Sequence, residues 1–255
     1  MPGLTLHPLP GIPEIGAGED LAGEILTALG RTGLDEPLGS LVLAIAHTVV
    51  SKAEGAIVDL RTVEPGERAR ELAAEQDKDP RLMQVALDQS AELLRAERGV
   101  LISRTRHGFV CANAGVDASN AGGPDRAILL PADPDASARA LRARLGELAG
   151  AAPPAVLVTD SFGRAWRHGQ LDVAIGLAGM APLEDWRGRS DAEGMELRAT
   201  WLAVADAAAA AADLARSKDS REPVVAISGL DRFVTAEDGP GAAALLRPPA
   251  EDLFL

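Results

Sequence analysis

The sequence predicts an α+β fold in which mixed sheets pack against helices. Candidate strands and helices alternate without the regular βαβ period of a doubly wound sheet. The chain has 255 residues, of which 47% are hydrophobic, so it can form one large domain or two small ones with a substantial core. Aromatic residues make up only 3% and Tyr is absent, so Ala, Val, Leu and Ile must build that core.

The first half of the chain begins with an extended segment. Residues 4–15 are rich in proline, which disfavours a helix, whereas residues 21–29 are amphipathic and follow Glu19 and Asp20, as a helix would. The apolar, β-branched run 41–50 predicts one buried strand. Five more elements are predicted next: a short strand at 57–60, a helix from Pro65 to about 74, a helix from Pro80 to about 96, and a pair of strands at 100–103 and 109–112.

The second half continues with a strand at 128–130 and with a helix at 136–148 that Asp133 is expected to cap. Buried strands are predicted at 155–159, 172–177 and 224–227, and one long Ala-rich helix at 193–215. We expect a main domain over residues 1–229, as one unit or as two subdomains. Residues 230–255 are polar and rich in Gly and Pro, which predicts a loose tail ending in the short apolar segment 253–255.

Charge and composition exclude several classes of protein. The net charge of −13 and the pI near 4.8 argue against a nucleic-acid partner, because an acidic surface repels phosphate. The single cysteine, Cys111, rules out an internal disulfide. The N-terminus lacks the pattern of a signal peptide, and the longest apolar run is too short to span a bilayer. The sequence therefore predicts a soluble, cytoplasmic protein. It contains neither Gly-x-Gly-x-x-Gly nor a Walker A loop, so a Rossmann or P-loop nucleotide site is not supported.

The segment 112–120 is the first candidate site. Small residues there allow the backbone to approach a ligand closely, Asp117 offers a hard oxygen to a divalent cation, and Asn120 offers both a donor and an acceptor. The same residues are also typical of an Asx-rich turn with no other role. Residue types alone leave both interpretations open.

The segment 156–167 is the second candidate. A buried strand leads to Thr159-Asp160-Ser161, and Arg164 and Arg167 follow within a few residues. A carboxylate, a hydroxyl and two guanidiniums suit Mg²⁺ or Mn²⁺ together with a polyphosphate. The alternative is a structural Arg–Asp ion pair.

Lys52 is the centre of a third candidate, residues 51–55. It follows the predicted strand 41–50 directly, so its ammonium should lie at the edge of the core, where it could bind phosphate. A surface pair between Lys52 and Glu54 is the alternative. His47 and Cys111, taken alone, are interpreted as packing residues.

Taken together, these segments resemble the coenzyme F420-0:L-glutamate ligase family, the γ-glutamyl ligases of F420 biosynthesis. The resemblance covers roughly residues 9–229, and each segment is weak alone, whereas six in the family's order are specific. The matching segments are Gly11-Ile12-Pro13-Glu14-Ile15 with Gly18-Glu19-Asp20-Leu21, Ser51-Lys52-Ala53-Glu54-Gly55, Asn113-Ala114-Gly115-Val116-Asp117-Ala118-Ser119-Asn120, Leu130-Pro131-Ala132-Asp133-Pro134-Asp135, Thr159-Asp160-Ser161-Phe162-Gly163-Arg164 and Ala174-Ile175-Gly176.

The resemblance implies a GTP-dependent ligase of the acid–amino-acid type, working as an intertwined homodimer. It would join L-glutamate to a carboxylate of the deazaflavin precursor F420-0 through an acyl phosphate, and would then extend the product by γ-linkage. Its expected cofactors are two divalent ions, Mg²⁺ or Mn²⁺. The resemblance also suggests K⁺ as a further cofactor. GTP would be a co-substrate.

The family's residue roles carry over to matching positions. Catalysis would involve Asp117, Asp160 and Arg164, with Arg167 as a second cation. Asp117 and Asp160 would share one metal ion, and Ser161, where the family usually has Thr, would serve the other. The residues expected at GTP are Ile12, Pro13, Glu14, Ile15, His47, Thr48, Lys52 and Asn120.

Two positions depart from the family pattern. Ala205-Asp206-Ala207 stands where the family has Ala-Asp-Glu, and the loop 217–222 before Pro223 has no Gly. That loop normally helps to hold the nucleotide and the second metal ion. Two further functions therefore stay open: a homologue that binds GTP and metal without ligase activity, and a ligase that uses a different carboxylate acceptor.

Overall fold

The structure, a computed structural model, describes residues 3–217 and 220–252. Its centre is a five-stranded sheet with the strand order β1-β12-β2-β8-β9. The strands are β1 (Thr5–Pro8), β2 (Val42–Ala46), β3 (Ile57–Asp59), β4 (Ser90–Glu97), β5 (Val100–Thr105), β6 (Val110–Ala112), β7 (Arg126–Ile128), β8 (Ala155–Arg164), β9 (Arg167–Ala178), β10 (Leu183–Asp185), β11 (Trp201–Ala203) and β12 (Val224–Ser228). The helices are α1 (Leu21–Thr32), α2 (His47–Ala53), α3 (Glu67–Gln76), α4 (Pro80–Gln89), α5 (Pro134–Ala149) and α6 (Val204–Ala215). This mixture of sheets and helices confirms the predicted α+β class.

Both faces of the central sheet are buried, because successive residues of a strand point to opposite faces. Leu43 and Ile45 of β2 belong to one apolar cluster with residues of α1 and α5. Val42 and Ala44 belong to a second cluster with the alanines of α6. Strands β2 and β8 run parallel, and the other pairs in this sheet are antiparallel.

Residues 57–128 build smaller sheets beside the central one. Strands β4, β5 and β6 form an antiparallel three-stranded sheet, and β3 pairs with β7. Helices α3 and α4 pack on this region through a separate apolar cluster that includes Leu72, Met83 and Leu101. The region therefore has a small core of its own. Within the described residues, no helix combines the length and the apolar character that crossing a bilayer requires.

Several predicted elements are confirmed. The helix predicted at 21–29 is α1, the helix that Asp133 caps is α5, and the last strand is β12. The strand pair around residues 100–112 is β5 with β6. Strands β8 and β9 are longer than predicted and form one hairpin.

Three predicted boundaries are wrong, each because tertiary contacts override local propensity. The strand predicted at 41–50 ends at Ala46, and helix α2 follows, burying Val49 and Val50 against the core. The helix predicted from Pro80 to about 96 ends at Gln89, because residues 90–97 pair with β5 as strand β4. The helix predicted at 193–215 covers only its second half, since residues 201–203 pair with β10.

The segment expected to be a loose tail packs on the body of the protein. Arg142 donates to the Asp238 carboxylate at 2.8 Å and to the carbonyls of Thr235 and Ala236. The Ala242 N–H donates to Asp135 Oδ1 at 2.7 Å, and Ala242 is fully buried. The expectation of a loose segment is therefore wrong for residues 230–252. The apolar end at 253–255 lies outside the described residues, and the domain boundary at residue 229 stays a prediction.

Candidate functional site

A cavity of about 960 Å³ opens where the parallel strands β2 and β8 lead out of the sheet. Ala46, the last residue of β2, pairs with Thr159 of β8, and both line the cavity. Ligands often bind at the carboxyl ends of parallel strands, because loops from different strands converge there. The segments that contribute to the wall lie within residues 12–15, 46–52, 111–120, 159–172 and 213–223.

The loop after β6 owes its shape to three consecutive residues with left-handed backbone. Asn113, Ala114 and Gly115 have φ values of 51°, 52° and 72°. Asn113 holds the loop by accepting a hydrogen bond from the Leu101 N–H at 3.2 Å. A Cβ on Gly115 would lie 2.7 Å from the Leu130 side chain, so this position requires glycine.

The loop carries Asp117 and Asn120 into the cavity wall. The carboxylate of Asp117 accepts the Ser119 N–H at 2.6 Å and the Ser119 hydroxyl at 2.9 Å. These two bonds form an Asx turn, so the turn predicted as the alternative for residues 112–120 is present. The turn does not exclude a binding role, because it holds the Asp117 carboxylate at the cavity.

His47 and Asp160 meet at the floor of the cavity. His47 opens α2 and is 3% exposed, and its Nε2 lies 3.4 Å from Asp160 Oδ1. Asp160 Oδ1 also accepts the Ser161 N–H at 2.7 Å. Burial, and then the nearby charge of Asp160, raise the pKa of the Cys111 thiol to about 12. Cys111 is therefore a protonated packing residue and not a thiolate nucleophile.

Lys52 is buried at the cavity edge and forms an ion pair with Glu14, whose side chain is exposed. The suggested surface pair of Lys52 with Glu54 is wrong, because Glu54 accepts the Ser137 hydroxyl instead. Glu14 belongs to the wall segment 12–15, so this ion pair joins the predicted segment 11–15 to the predicted segment 51–55.

A buried polar cluster that the sequence did not reveal also lines the cavity, on both sides of Asp160 in the sequence. Asp172 of β9 is 2% exposed and accepts hydrogen bonds from the hydroxyls of Thr159 at 2.8 Å and Ser161 at 2.6 Å. Arg216, just after α6, forms an ion pair with Asp172 and donates to Thr159 Oγ1 at 2.8 Å and to the Pro223 carbonyl at 3.1 Å. The one available sequence signal was Asp172 itself, a carboxylate at the start of the apolar run 172–177.

The cluster also joins the divergent loop to the site. Ser217, Arg221, Glu222 and Pro223 line the cavity beside Arg216. Lys218 and Asp219 of the same loop lie outside the described residues. The loop therefore contributes to the wall although it lacks glycine.

Arg164 and Arg167 are placed differently from the other predicted site residues. Arg164 is exposed and donates to the carbonyl oxygens of His168 at 2.7 Å and Gly169 at 3.4 Å. Within the described part of the chain, neither arginine contributes to the cavity wall. The alternative of a structural Arg–Asp pair within residues 156–167 is wrong, because Asp160 contacts His47 and Ser161 instead of an arginine. A catalytic role for Arg164 stays a prediction.

The oxygen atoms of the site suit a hard divalent cation. Asp117, Asp160 and Ser161 supply carboxylate and hydroxyl oxygens, which Mg²⁺ and Mn²⁺ prefer. Across residues 3–217 and 220–252, however, no group of three or more His, Cys, Asp or Glu side chains is arranged to hold a metal ion. Phosphate oxygens of a bound nucleotide would have to complete the coordination, as is usual for Mg²⁺. Metal binding therefore stays a prediction.

Comparison with known proteins shows the family of the chain. The sequence profile of the F420-0:Gamma-glutamyl ligase family matches residues 11–229. The chain is 42% identical over 253 residues to the coenzyme F420:L-glutamate ligase of Methanothermobacter thermautotrophicus, covering 99% of both chains. It is 43% identical to the enzyme of that name from Methanopyrus kandleri, covering 100% of this chain and 98% of the relative. The Haloarcula marismortui relative is 39% identical, covering 95% and 92%. The resemblance seen in the sequence is thus confirmed, and the chain belongs to the F420-0:gamma-glutamyl ligase family.

Proposed function

We propose that the protein is a GTP-dependent ligase that joins L-glutamate to F420-0 by an amide bond and then adds further glutamate through γ-linkages. The observation that carries the proposal is the meeting of the family's motifs in one cavity. All of the predicted site residues except Arg164 and Arg167 line it, although they come from segments up to about 150 residues apart in the chain. The names of the relatives support glutamate ligation to F420.

The proposed chemistry starts from the poor reactivity of a carboxylate towards an amine. The acceptor carboxylate attacks the γ-phosphorus of GTP, GDP leaves, and an acyl phosphate forms. The amine of glutamate then attacks the acyl carbon, phosphate leaves, and the amine gives up a proton. No covalent enzyme intermediate is needed, which agrees with the protonated state of Cys111.

The residues of the chain would bind and orient the reactants. Lys52 is at the cavity edge, where its ammonium would exchange Glu14 for a phosphate oxygen. Asp117, Asp160 and Ser161 would hold divalent cations, which supply neutralisation of charge on the transferring phosphoryl group. Asp172 fixes the direction of the Ser161 hydroxyl by accepting a hydrogen bond from it, so the serine oxygen keeps a defined orientation.

The direct test is incubation of the protein with GTP, Mn²⁺, L-glutamate and F420-0. Mass spectrometry should detect glutamylated product, and one GDP should appear for each amide bond. A matched reaction with ATP tests the nucleotide preference. Absence of product and GDP, while the Methanothermobacter enzyme works alongside, would overturn the proposal. Binding of GTP without turnover would point to a homologue that has lost ligation.

A further inference from the structure

The tip of the β8–β9 hairpin, residues 164–168, lies next to the cavity. Gly163 pairs with Gln170, and both residues line the cavity. The next pair in the hairpin is Arg164 with Arg167, and the turn follows at once. Since a strand advances about 3.3 Å per residue, the tip begins within roughly one residue of the cavity wall.

Trp166 occupies this turn at a backbone position that does not suit it. The loop between β8 and β9 has two residues, and Trp166, the second, has a φ of 59°. A positive φ at the second residue of a two-residue turn favours Gly or Asn, and it is unfavourable for a bulky side chain. The Trp166 side chain is also 81% exposed, so burial in a core does not explain it. A strained and exposed aromatic residue next to a cavity is a typical sign of ligand contact.

The charge of the tip contrasts with that of the protein. Arg164 and Arg167 flank the turn, and His168 follows, in a chain with a net charge of −13. In the described parts of the chain, neither guanidinium has a carboxylate within 4.0 Å. Two main-chain carbonyls instead hold Arg164 in a fixed orientation. The tip therefore offers an aromatic face beside preorganised positive charge, which suits a molecule that is both planar-aromatic and anionic.

We propose that this tip binds the acceptor of the reaction, as an aromatic, anionic molecule whose ring lies on Trp166 and whose acidic groups contact Arg164 and Arg167. This rests on the proposed function, in which the acceptor is a deazaflavin with acidic groups. A guanine nucleotide shares the same chemistry. The segments expected at GTP are separate, however, since they follow β1, β2 and β6 and include Lys52, whereas the hairpin supplies its own recognition groups.

The test uses two single variants, Trp166→Gly and Arg167→Ala. Each should raise the KM for F420-0 about 10-fold or more, as the loss of one stacked ring or one charged contact does, with less than about a 2-fold change in the KM of GTP or glutamate. Fluorescence anisotropy of F420-0 without GTP should show the same loss of binding. The melting temperature of Trp166→Gly should stay equal or rise, because glycine adopts a positive φ without strain.

Trp201→Gly, on strand β11, provides a matched control. Trp201 is 51% exposed, but the Arg187 guanidinium lies 4.3 Å from its ring centre and covers it. This variant should leave the KM of F420-0 unchanged.

Several results would overturn the inference. A lower melting temperature for Trp166→Gly with unchanged acceptor binding would make Trp166 structural. A higher KM for GTP alone would assign the tip to the nucleotide, and a change in oligomeric state by light scattering would make it a subunit contact. If the wild-type protein neither binds nor glutamylates F420-0, the proposed function fails; if it does both and the tip variants match it, only this inference fails.

Discussion

Two carboxylates that line the cavity, those of Asp117 and Asp172, are held in different ways. Among the hydrogen bonds described for its side chain, Asp117 is bonded only to Ser119, two residues along the chain. Asp172 is buried, accepts hydrogen bonds from Thr159 and Ser161, and pairs with Arg216, which lies 44 residues away. The first carboxylate depends on a turn, and the second depends on the completed fold.

This difference separates residues that act on ligands from residues that hold the site together. An exposed Asx turn contributes little to stability, because water can replace its hydrogen bonds. A buried carboxylate with a buried arginine contributes to the structure in another way, since removing one partner leaves an unpaired charge. Changes at Asp117 should therefore affect turnover, and changes at Asp172 should affect folding as well.

The largest expected effect is on turnover. Asp117→Ala and Asp160→Ala should each lower kcat by roughly 1,000-fold or more, because a metal ion or a preorganised charge supplies several kcal/mol of transition-state stabilisation. The unfolding free energy of Asp117→Ala should change by less than about 1 kcal/mol, since the turn is at the surface. Steady-state kinetics and urea unfolding measure the two quantities. Retained activity in both variants would remove these residues from the metal site.

The next effect is on stability. Asp172→Ala should lower the unfolding free energy by about 3–5 kcal/mol, because Arg216 would remain buried without its partner. The double variant Asp172→Ala with Arg216→Met should recover part of that loss, since it removes both charges. Urea unfolding of the single and double variants gives the coupling directly. Equal losses in the single and double variants would mean that the ion pair is not the source of the effect.

The ion pair of Lys52 with Glu14 combines the two situations, because Lys52 is buried and Glu14 is exposed. Lys52→Gln should weaken GTP binding by about 10- to 100-fold, the usual effect of losing one charged hydrogen bond. Glu14→Gln should instead leave GTP binding equal or tighter, because it removes a competitor for the ammonium. Calorimetric titration with GTP distinguishes the two variants. A loss of affinity in Glu14→Gln as large as in Lys52→Gln would contradict this view of the pair.

The last effect, the titration of Cys111, is absent at neutral pH and appears only in alkaline solution. The raised pKa of Cys111 means that the folded thiol keeps its proton while the unfolded thiol loses it above roughly pH 9. Stability should therefore fall between about pH 9 and pH 12, by up to about 1.4 kcal/mol per pH unit. Tyr is absent and lysine occurs only three times, so few other groups titrate there. In protein treated with a chelator, the stability of Cys111→Ala should fall less steeply with rising pH than that of the wild type. Identical slopes would show that Cys111 does not contribute.

The sequence predicted those parts of the site that are local. The turn around Asp117 and the helix cap at Asp133 depend on residues two or three positions apart, and such patterns are visible in one sequence. The cluster around Asp172 depends on Arg216, which α6 and β9 bring together only when they pack. The strand predicted at 41–50 failed for the same reason, since burial against α1 and the sheet, and not local propensity, decides that residues 47–53 form a helix.

The strand order has a consequence for synthesis of the protein on the ribosome. Ile227 of β12 lies between Leu6 of β1 and Val42 of β2. Strands β1 and β2 are therefore synthesised long before the strand that pairs with both of them. At about 5–20 residues per second, β2 stays without its β12 neighbour for roughly 10–40 seconds after it is made. Its residues Val42–Ala46 are almost wholly apolar, and an unpaired apolar strand edge favours association with other chains. The nascent chain should therefore depend on a chaperone that shields this edge, and truncation before β12 should give an aggregating product.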